Sequence, residues 1–290
     1  MRPKTQGLIL VIIAGMAFGA LPIFARIAYA DGVDPFTLLF LRFLIAGSIM
    51  LIIALARHET FPRGKTLFGL IVMGGVLYVG QSLSYFIAIT MASAGLISLL
   101  LFLNPGIVTV LSALFFKEQI TRLQLAALGL ALLGSVLTIG GDTPSVASAT
   151  PNNPLGVVLG VTAGVIYAIY ITVGGYFTRG LSILASSTVI MLSALVVFGV
   201  IALIRGPHLP QTAQGWLGIG GLALISSVVA IFCFFAGVQR VGAATGSMLA
   251  TTEPVTTILL AALVLGEPIL PMQVLGGSLI LSAVLLLAKR

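Results

Sequence analysis

Charge is what this sequence has least of. Charged side chains make up 7% of its 290 residues, and only seven of them are acidic, whereas a soluble domain is about 25% charged. A chain so poor in charge cannot cover itself with a water-compatible surface, which excludes an ordinary soluble enzyme or regulatory domain. Cysteine occurs once, as Cys233 in the apolar run 231–235, so an internal disulfide is excluded and the residue reads as a small buried hydrophobe. Histidine occurs twice, as His58 and His208 in polar loops, and Asp31, Asp34, Glu59 and Asp142 are loop residues too. No Cys/His ligand spacing and no acid/base constellation remain, so neither an enzyme embedded in the membrane nor a metal or other cofactor is expected. The net charge of +7 comes from basic residues scattered near helix ends, without a basic run. An anionic lipid surface is therefore the expected partner, and nucleic acid is not.

What is present is apolar sequence, 59% of the chain, in runs of about 20 residues, enough to cross a hydrocarbon core about 30 Å thick. Ten spans are predicted, at 7–30, 34–56, 65–90, 94–116, 121–140, 154–177, 182–204, 214–238, 242–265 and 268–288. The longest polar stretch, 141–153, is rich in Ser, Thr, Pro and Asn and reads as a linker. It separates a first five-helix unit, 1–140, from a second, 154–290. Arg2, Lys4 and Ala28-Tyr29-Ala30 imitate a secretory signal with its cleavage site, but the apolar run between them is too long for one.

The two units are copies. Sliding the sequence by 149 positions aligns Gly15 with Gly164, Phe18 with Tyr167, Tyr85 with Phe234, Ser98 with Ser247, Pro105 with Pro254, Glu118 with Glu267 and Gln124 with Gln273, without a gap. Matches of Leu, Ala or Gly are cheap in apolar sequence; paired Pro, Glu and Gln at one offset are not. With the N-terminus in the cytoplasm, eleven Lys and Arg fall inside and only Arg205 outside, so both termini are expected to be cytoplasmic. Five spans per copy then force the second copy to enter the membrane upside down. The expected fold class is an all-α polytopic membrane protein of ten transmembrane helices in two inverted five-helix repeats, an architecture that suits alternating access around a midplane site and admits a monomeric assembly.

Few residues are polar enough to form that site. Glu253 falls near the centre of the ninth span, where an ionised carboxylate costs about 2.5–3.5 kcal/mol on insertion scales. It reads either as a proton or substrate-amine site or as a brace for the helix broken at Pro254. Arg42 in the second span is the countercharge candidate for Glu253 or for a substrate carboxylate; snorkelling or bonding to backbone carbonyls is the alternative. Arg26 lies closer to a span end and reads as snorkelling. The third span places Tyr78, Gln81, Ser82 and Tyr85 at i, i+3, i+4 and i+7, one helix face, suited to a ligand with an aromatic or apolar body and a small polar head; interhelical hydrogen bonding is the competing role. Tyr167 and Tyr170 share a face of the sixth span, with Phe18 the repeat mate of Tyr167. Pro22 predicts a kink one turn beyond Phe18, and Pro105 and Pro254 predict further bending points. Phe102, Ser98, Ser247 and Thr251 are secondary cavity candidates, although Ser and Thr in spans often bond their own backbone. Glu118 and Glu267 read as helix N-terminal caps.

These features resemble the EamA-type transporters of the drug/metabolite transporter superfamily over nearly the whole chain. The resemblance rests on Asn104-Pro105 and Glu253-Pro254 in the fourth and ninth spans, each followed at one distance by Glu118 or Glu267, and on Arg42 in Leu41-Arg42-Phe43. Among members the chain is most similar to the YddG-type exporters of aromatic and other amino acids. It implies a secondary transporter of the bacterial cytoplasmic membrane that exports amino acids or similar small metabolites. The family often has Glu before Pro in both repeats; Asn104 departs from this, so no role can need two symmetric carboxylates. A nucleotide-sugar or phosphate-ester exchanger would call for more buried basic groups than Arg42 and Arg26, and a channel would call for a filter or acidic ring.

Overall fold

A computed structural model describes residues 3–91, 97, 100–140, 153–266 and 268–288. Every regular element among them is helical. Eight helices are long and apolar enough to cross a membrane, and Asn104–Phe116 and Arg122–Thr138 are shorter apolar helices at the predicted places of the fourth and fifth spans. Leu263, Ile204 and Leu203 are 82, 80 and 74% exposed, an inside-out surface that only lipid tolerates.

Five spans are interrupted among the described residues, the fourth by a turn at 102–103 before Asn104–Phe116. The first consists of Pro3–Gly19 and Leu21–Ala30, and the ninth of Ala243–Ala250 and Thr252–Leu265. The first begins four residues earlier than predicted. In the third and eighth spans a π-helical turn is inserted, at Met73–Tyr78 and Leu224–Val229, features that periodicity cannot reveal and that often mark functional sites.

Contacts between spans obey the duplication. The first span packs on the eighth and ninth, and the sixth packs on the third and fourth; the second meets the eighth as the seventh meets the third; the second and seventh pair, as do the fifth and tenth. Exchanging the copies maps this set onto itself, as a two-fold axis in the membrane plane requires. Glycines allow the closest crossings. A Cβ on Gly15 would strike Thr252 at the ninth-span break, and one on its mate Gly164 would sit 2.7 Å from the Leu100 carbonyl oxygen beside the fourth-span break. Where the fifth and tenth spans cross, Cβ atoms on Gly134 and Gly276 would lie 2.6 and 2.5 Å from each other's carbonyl oxygens.

The repeat also explains its most diagnostic matches. Gln124 Oε1 accepts from the Thr121 backbone N–H at 2.9 Å, and Gln273 Oε1 from the Leu270 N–H at 3.0 Å. Both are the reach-back half of a capping box. Glu118 does not serve as a cap, a role that Gln124 already occupies: its carboxylate lies 3.6 Å from Arg179 in the connection between the sixth and seventh spans. Glu267 lies outside the described residues. Lys117 and its mate Gly266 both end their helices in the left-handed region, at φ 52° and 70°.

On the face away from the termini, two loops staple the copies together. Asp31 Oδ2 accepts from the backbone N–H groups of Gln211 and Thr212 at 2.7 and 2.9 Å. Asp34 caps the second span through Phe36 N–H at 2.9 Å, and His208 Nδ1 stands 3.4 Å from its Oδ2. The Thr212 backbone N–H holds the Asp31 carboxyl below its ordinary range. Burial works to raise that of Asp34, but hydrogen bonds from Thr37, Phe36 and His208 outweigh it, and the net direction is down. Carboxylates depressed on folding stabilise the protein above their unfolded pKa, about 3.9, and lose that contribution as pH falls through the lower folded value. The thermal midpoint in detergent is therefore expected to fall as pH drops below about 4, and Asp31→Ala should flatten that fall while lowering the midpoint at neutral pH. An unchanged acid profile in Asp31→Ala would remove the staple.

Candidate functional site

Two cavities meet at the middle of the bundle. The larger, about 130 Å³, lies in the half away from the termini and is walled by Phe18 and Pro22 of the first span, Leu39 and Arg42 of the second, Tyr78, Gln81, Ser82 and Tyr85 of the third, and Tyr167 and Glu253. The third-span face predicted from spacing thus comes together on one wall. It starts at Tyr78, where the π turn ends, so regular helical spacing holds beyond it. A smaller cavity, about 10 Å³, lies toward the termini among Phe102, Asn104, Pro105, Ser247, Thr251, Tyr167 and Glu253. Among the described residues, only Tyr167 and Glu253 wall both, and they form the septum between them.

Several predicted residues lie elsewhere. Tyr170 lines neither cavity. It is 3% exposed, packed on Tyr78, Tyr167 and Phe235 at centroid distances of 5.4, 6.2 and 5.8 Å, and its hydroxyl has no hydrogen-bond partner among the described residues. Pro254 is buried at the ninth-span break. Ser247 and Thr251 do line the smaller cavity, but their hydroxyls donate to their own backbone, to the Ala244 and Met248 carbonyls at 2.9 and 2.6 Å. Ser98 lies outside the described residues. Arg26 is exposed. Leu39, Phe86 and Leu101 were missed, since an apolar residue in an apolar span gives no signal.

Glu253 sits in the first turn of its half-helix, where the helix dipole favours an anion. Bracing of the break falls to others: Thr251 and Thr252 donate to the Met248 and Leu249 carbonyls at 2.6 and 3.1 Å. At the fourth-span break, Asn104 Nδ2 donates to the Leu101 carbonyl at 2.9 Å. The mates Asn104 and Glu253 therefore do different work, because an amide can donate to an orphaned carbonyl and a carboxylate cannot. Among the described residues, the Glu253 carboxylate has no hydrogen-bond or ion-pair partner.

Arg42 is 3% exposed and does not snorkel. Its Nε donates to Ser227 Oγ at 2.5 Å and its Nη2 to the Ser226 carbonyl at 2.9 Å. Both acceptors belong to the eighth-span π turn; Ser227 Oγ in turn reaches the Leu222 carbonyl five residues back at 3.0 Å, and Ser226 Oγ reaches the Ala17 carbonyl at 2.7 Å. The guanidinium is thus fixed by three spans with one edge on the cavity wall. The repeat mates of Arg42 and Ser227 are Met191 and Tyr78, so this polar junction exists in one copy only.

Toward the termini, the volume equivalent to the larger cavity is filled. Tyr170, Met191, Ile231, Phe234 and Phe235 are the mates of Leu21, Arg42, Ser82, Tyr85 and Phe86, and all five are buried. A duplicated, inverted helical bundle holding a mostly apolar central cavity with Arg42 and Glu253 on its wall, open space on one side and packed rings on the other, has the architecture of a membrane transporter. The chain belongs to the EamA-like transporter family, whose model matches it twice, over residues 5–140 and 154–289.

Relatives span nearly its whole length. It is 25% identical over 285 residues to the uncharacterized transporter YcbK of Bacillus subtilis, covering 95% of this chain and 90% of that one. An uncharacterized transporter of Archaeoglobus fulgidus is 29% identical over 288 residues, 95% of each chain, and the uncharacterized inner membrane transporter YedA of Escherichia coli is 25% identical over 248 residues, 84% of this chain and 78% of that one. One solved crystal structure matches at a TM-score of 0.84 with 19% identity, over 98% of this chain and 96% of that one; this likeness concerns the fold.

Proposed function

We propose that the protein is a secondary transporter of zwitterionic amino acids, aromatic and other neutral ones, working by alternating access. The observation that carries this reading is the pairing of one fixed guanidinium, Arg42, with one unpartnered carboxylate, Glu253, on the wall of a cavity whose other walls are largely aromatic. A substrate carboxylate would take the free edge of Arg42, its ammonium would take Glu253, and its side chain would lie among Phe18, Tyr78, Tyr85 and Tyr167. A nucleotide sugar or phosphate ester would face a single guanidinium against the carboxylate of Glu253. With both termini in the cytoplasm, as the Lys and Arg distribution supports, the larger cavity belongs to an outward-facing state, and the likeness to amino acid exporters supports outward net flux.

Counterflow in proteoliposomes tests this. Preloaded neutral amino acids should accelerate entry of labelled aromatic amino acids, and the flux should saturate. Tyr85→Ala and Tyr78→Phe remove a stacking face and a hydroxyl, each worth about 0.5–1.5 kcal/mol, so half-saturation should rise roughly two- to tenfold. If both variants left affinity and rate unchanged for every transported amino acid, the assignment of this wall would be wrong. Flux that never saturates would indicate a channel.

A further inference from the structure

The structure holds a second cavity of about 130 Å³, remote from the first, on the face that carries the termini. Its walls are Lys4, Leu8, Gln124, Val241, Thr245 and Leu287, drawn from the first, fifth, ninth and tenth spans and the junction of the eighth with the ninth. Its polar groups are oriented by their neighbours. Gln124 Oε1 is committed to Thr121, which turns the amide nitrogen toward Thr245, and Gln124 Nε2 donates to Thr245 Oγ1 at 3.0 Å. Thr245, accepting there, keeps its own hydrogen to donate. The Lys4 ammonium has no ion-pair partner among the described residues. Glu118 approaches Gly242, three residues before Thr245, but its carboxylate is taken by Arg179 at 3.6 Å.

Among the described residues the lining therefore offers an ammonium and a hydroxyl as donors and no carboxylate, beside three apolar side chains. The repeat-related positions of Lys4 and Thr245 are Asn153 and Leu96, so the cation and the hydroxyl belong to one face alone. We propose that this cleft binds a phosphate group, supplied either by the headgroup of an anionic lipid, with its acyl chain along Leu8, Val241 and Leu287, or by free phosphate. Bound there, the anion ties Lys4 of the first copy to Thr245 of the second, which Gln124 orients, and holds the terminal face closed.

The full chain in phosphatidylcholine nanodiscs, with and without phosphatidylglycerol, supplies the test, with the thermal midpoint and lipid retention in native mass spectrometry as readouts. Phosphatidylglycerol should raise the midpoint in a concentration-dependent way. Lys4→Gln, a surface change that leaves the core intact, and Thr245→Val should each weaken the apparent affinity about tenfold. Lys65→Gln, on the same face and outside the cleft, should leave it unchanged. Inorganic phosphate added without phosphatidylglycerol separates the sources: a midpoint rise that Lys4→Gln abolishes assigns the site to the free anion, and a rise with the lipid alone assigns it to the headgroup. Equal response of wild type, Lys4→Gln and Lys65→Gln would overturn the proposal, because diffuse surface charge would then account for the effect.

Discussion

Arg42→Met is expected to reduce transport of zwitterionic amino acids by roughly 10–100-fold, the cost of losing a charge-assisted contact of about 1.5–3 kcal/mol. The protein should still fold. Losing Arg42 leaves the Ser226 carbonyl of the π turn without its partner, a cost of about 1–3 kcal/mol, but it also removes a buried charge, which replacement by an apolar side chain of similar length offsets. Methionine already stands at the mate position, Met191. Arg42→Lys should fail almost as badly, since a point-like ammonium cannot hold both Ser226 and Ser227 and still present an edge to the ligand. Substrate analogues separate binding from packing. An aromatic amine lacking the carboxylate should inhibit wild type and Arg42→Met equally, whereas the amino acid itself should lose potency. Equal loss for both ligands would make Arg42 a structural element of the π turn only.

Glu253→Gln gives the complementary result. Removing an ionised group from mid-membrane relieves an insertion cost of about 2.5–3.5 kcal/mol, and no hydrogen bond is lost, so the thermal midpoint should hold or rise. The new amide can donate to the Ala250 carbonyl as Asn104 does to Leu101, reproducing the first copy's break. Transport of zwitterions should drop by roughly 10–100-fold through loss of the ammonium contact, and here the analogue lacking the ammonium should be the one that inhibits undiminished. A carboxylate in the septum is also the only acid described on the route, so an imposed proton gradient should be tested alongside. Wild-type flux that ignores the gradient, with Glu253→Gln fully active, would leave this carboxylate without a role.

How much of this could be read from residues alone depends on the kind of signal each leaves. The duplication was legible because Pro105/Pro254 and Gln124/Gln273 do backbone work that few other residues can do, at helix breaks and capping boxes. The third-span face was legible because four polar residues in lipid stand out against their neighbours. Tyr167 and Tyr170 looked equivalent at i and i+3, yet three residues turn a helix by about 300°, enough for one ring to face the septum and the other the packed cluster. Arg42 pointed to a partner but not to which one, since Ser227 lies 185 positions away. Glu118 misled because a carboxylate near a helix start resembles a cap until the glutamine that occupies the position is seen. The π turns left no trace, as an inserted residue shifts the register of a helix without marking the sequence.

The packed rings on the terminal side have a kinetic consequence. Because Tyr170, Met191, Phe234 and Phe235 occupy what would be the mirror-image cavity, opening that side means parting aromatic contacts that have no counterpart opposite. The two access states are then unequal in energy, and the empty carrier waits mostly on one side. Microscopic reversibility forbids such a bias from rectifying an uncoupled flux, so Vmax/KM must be the same from both faces. The imbalance surfaces instead as two different KM values, each matched by a proportionate Vmax.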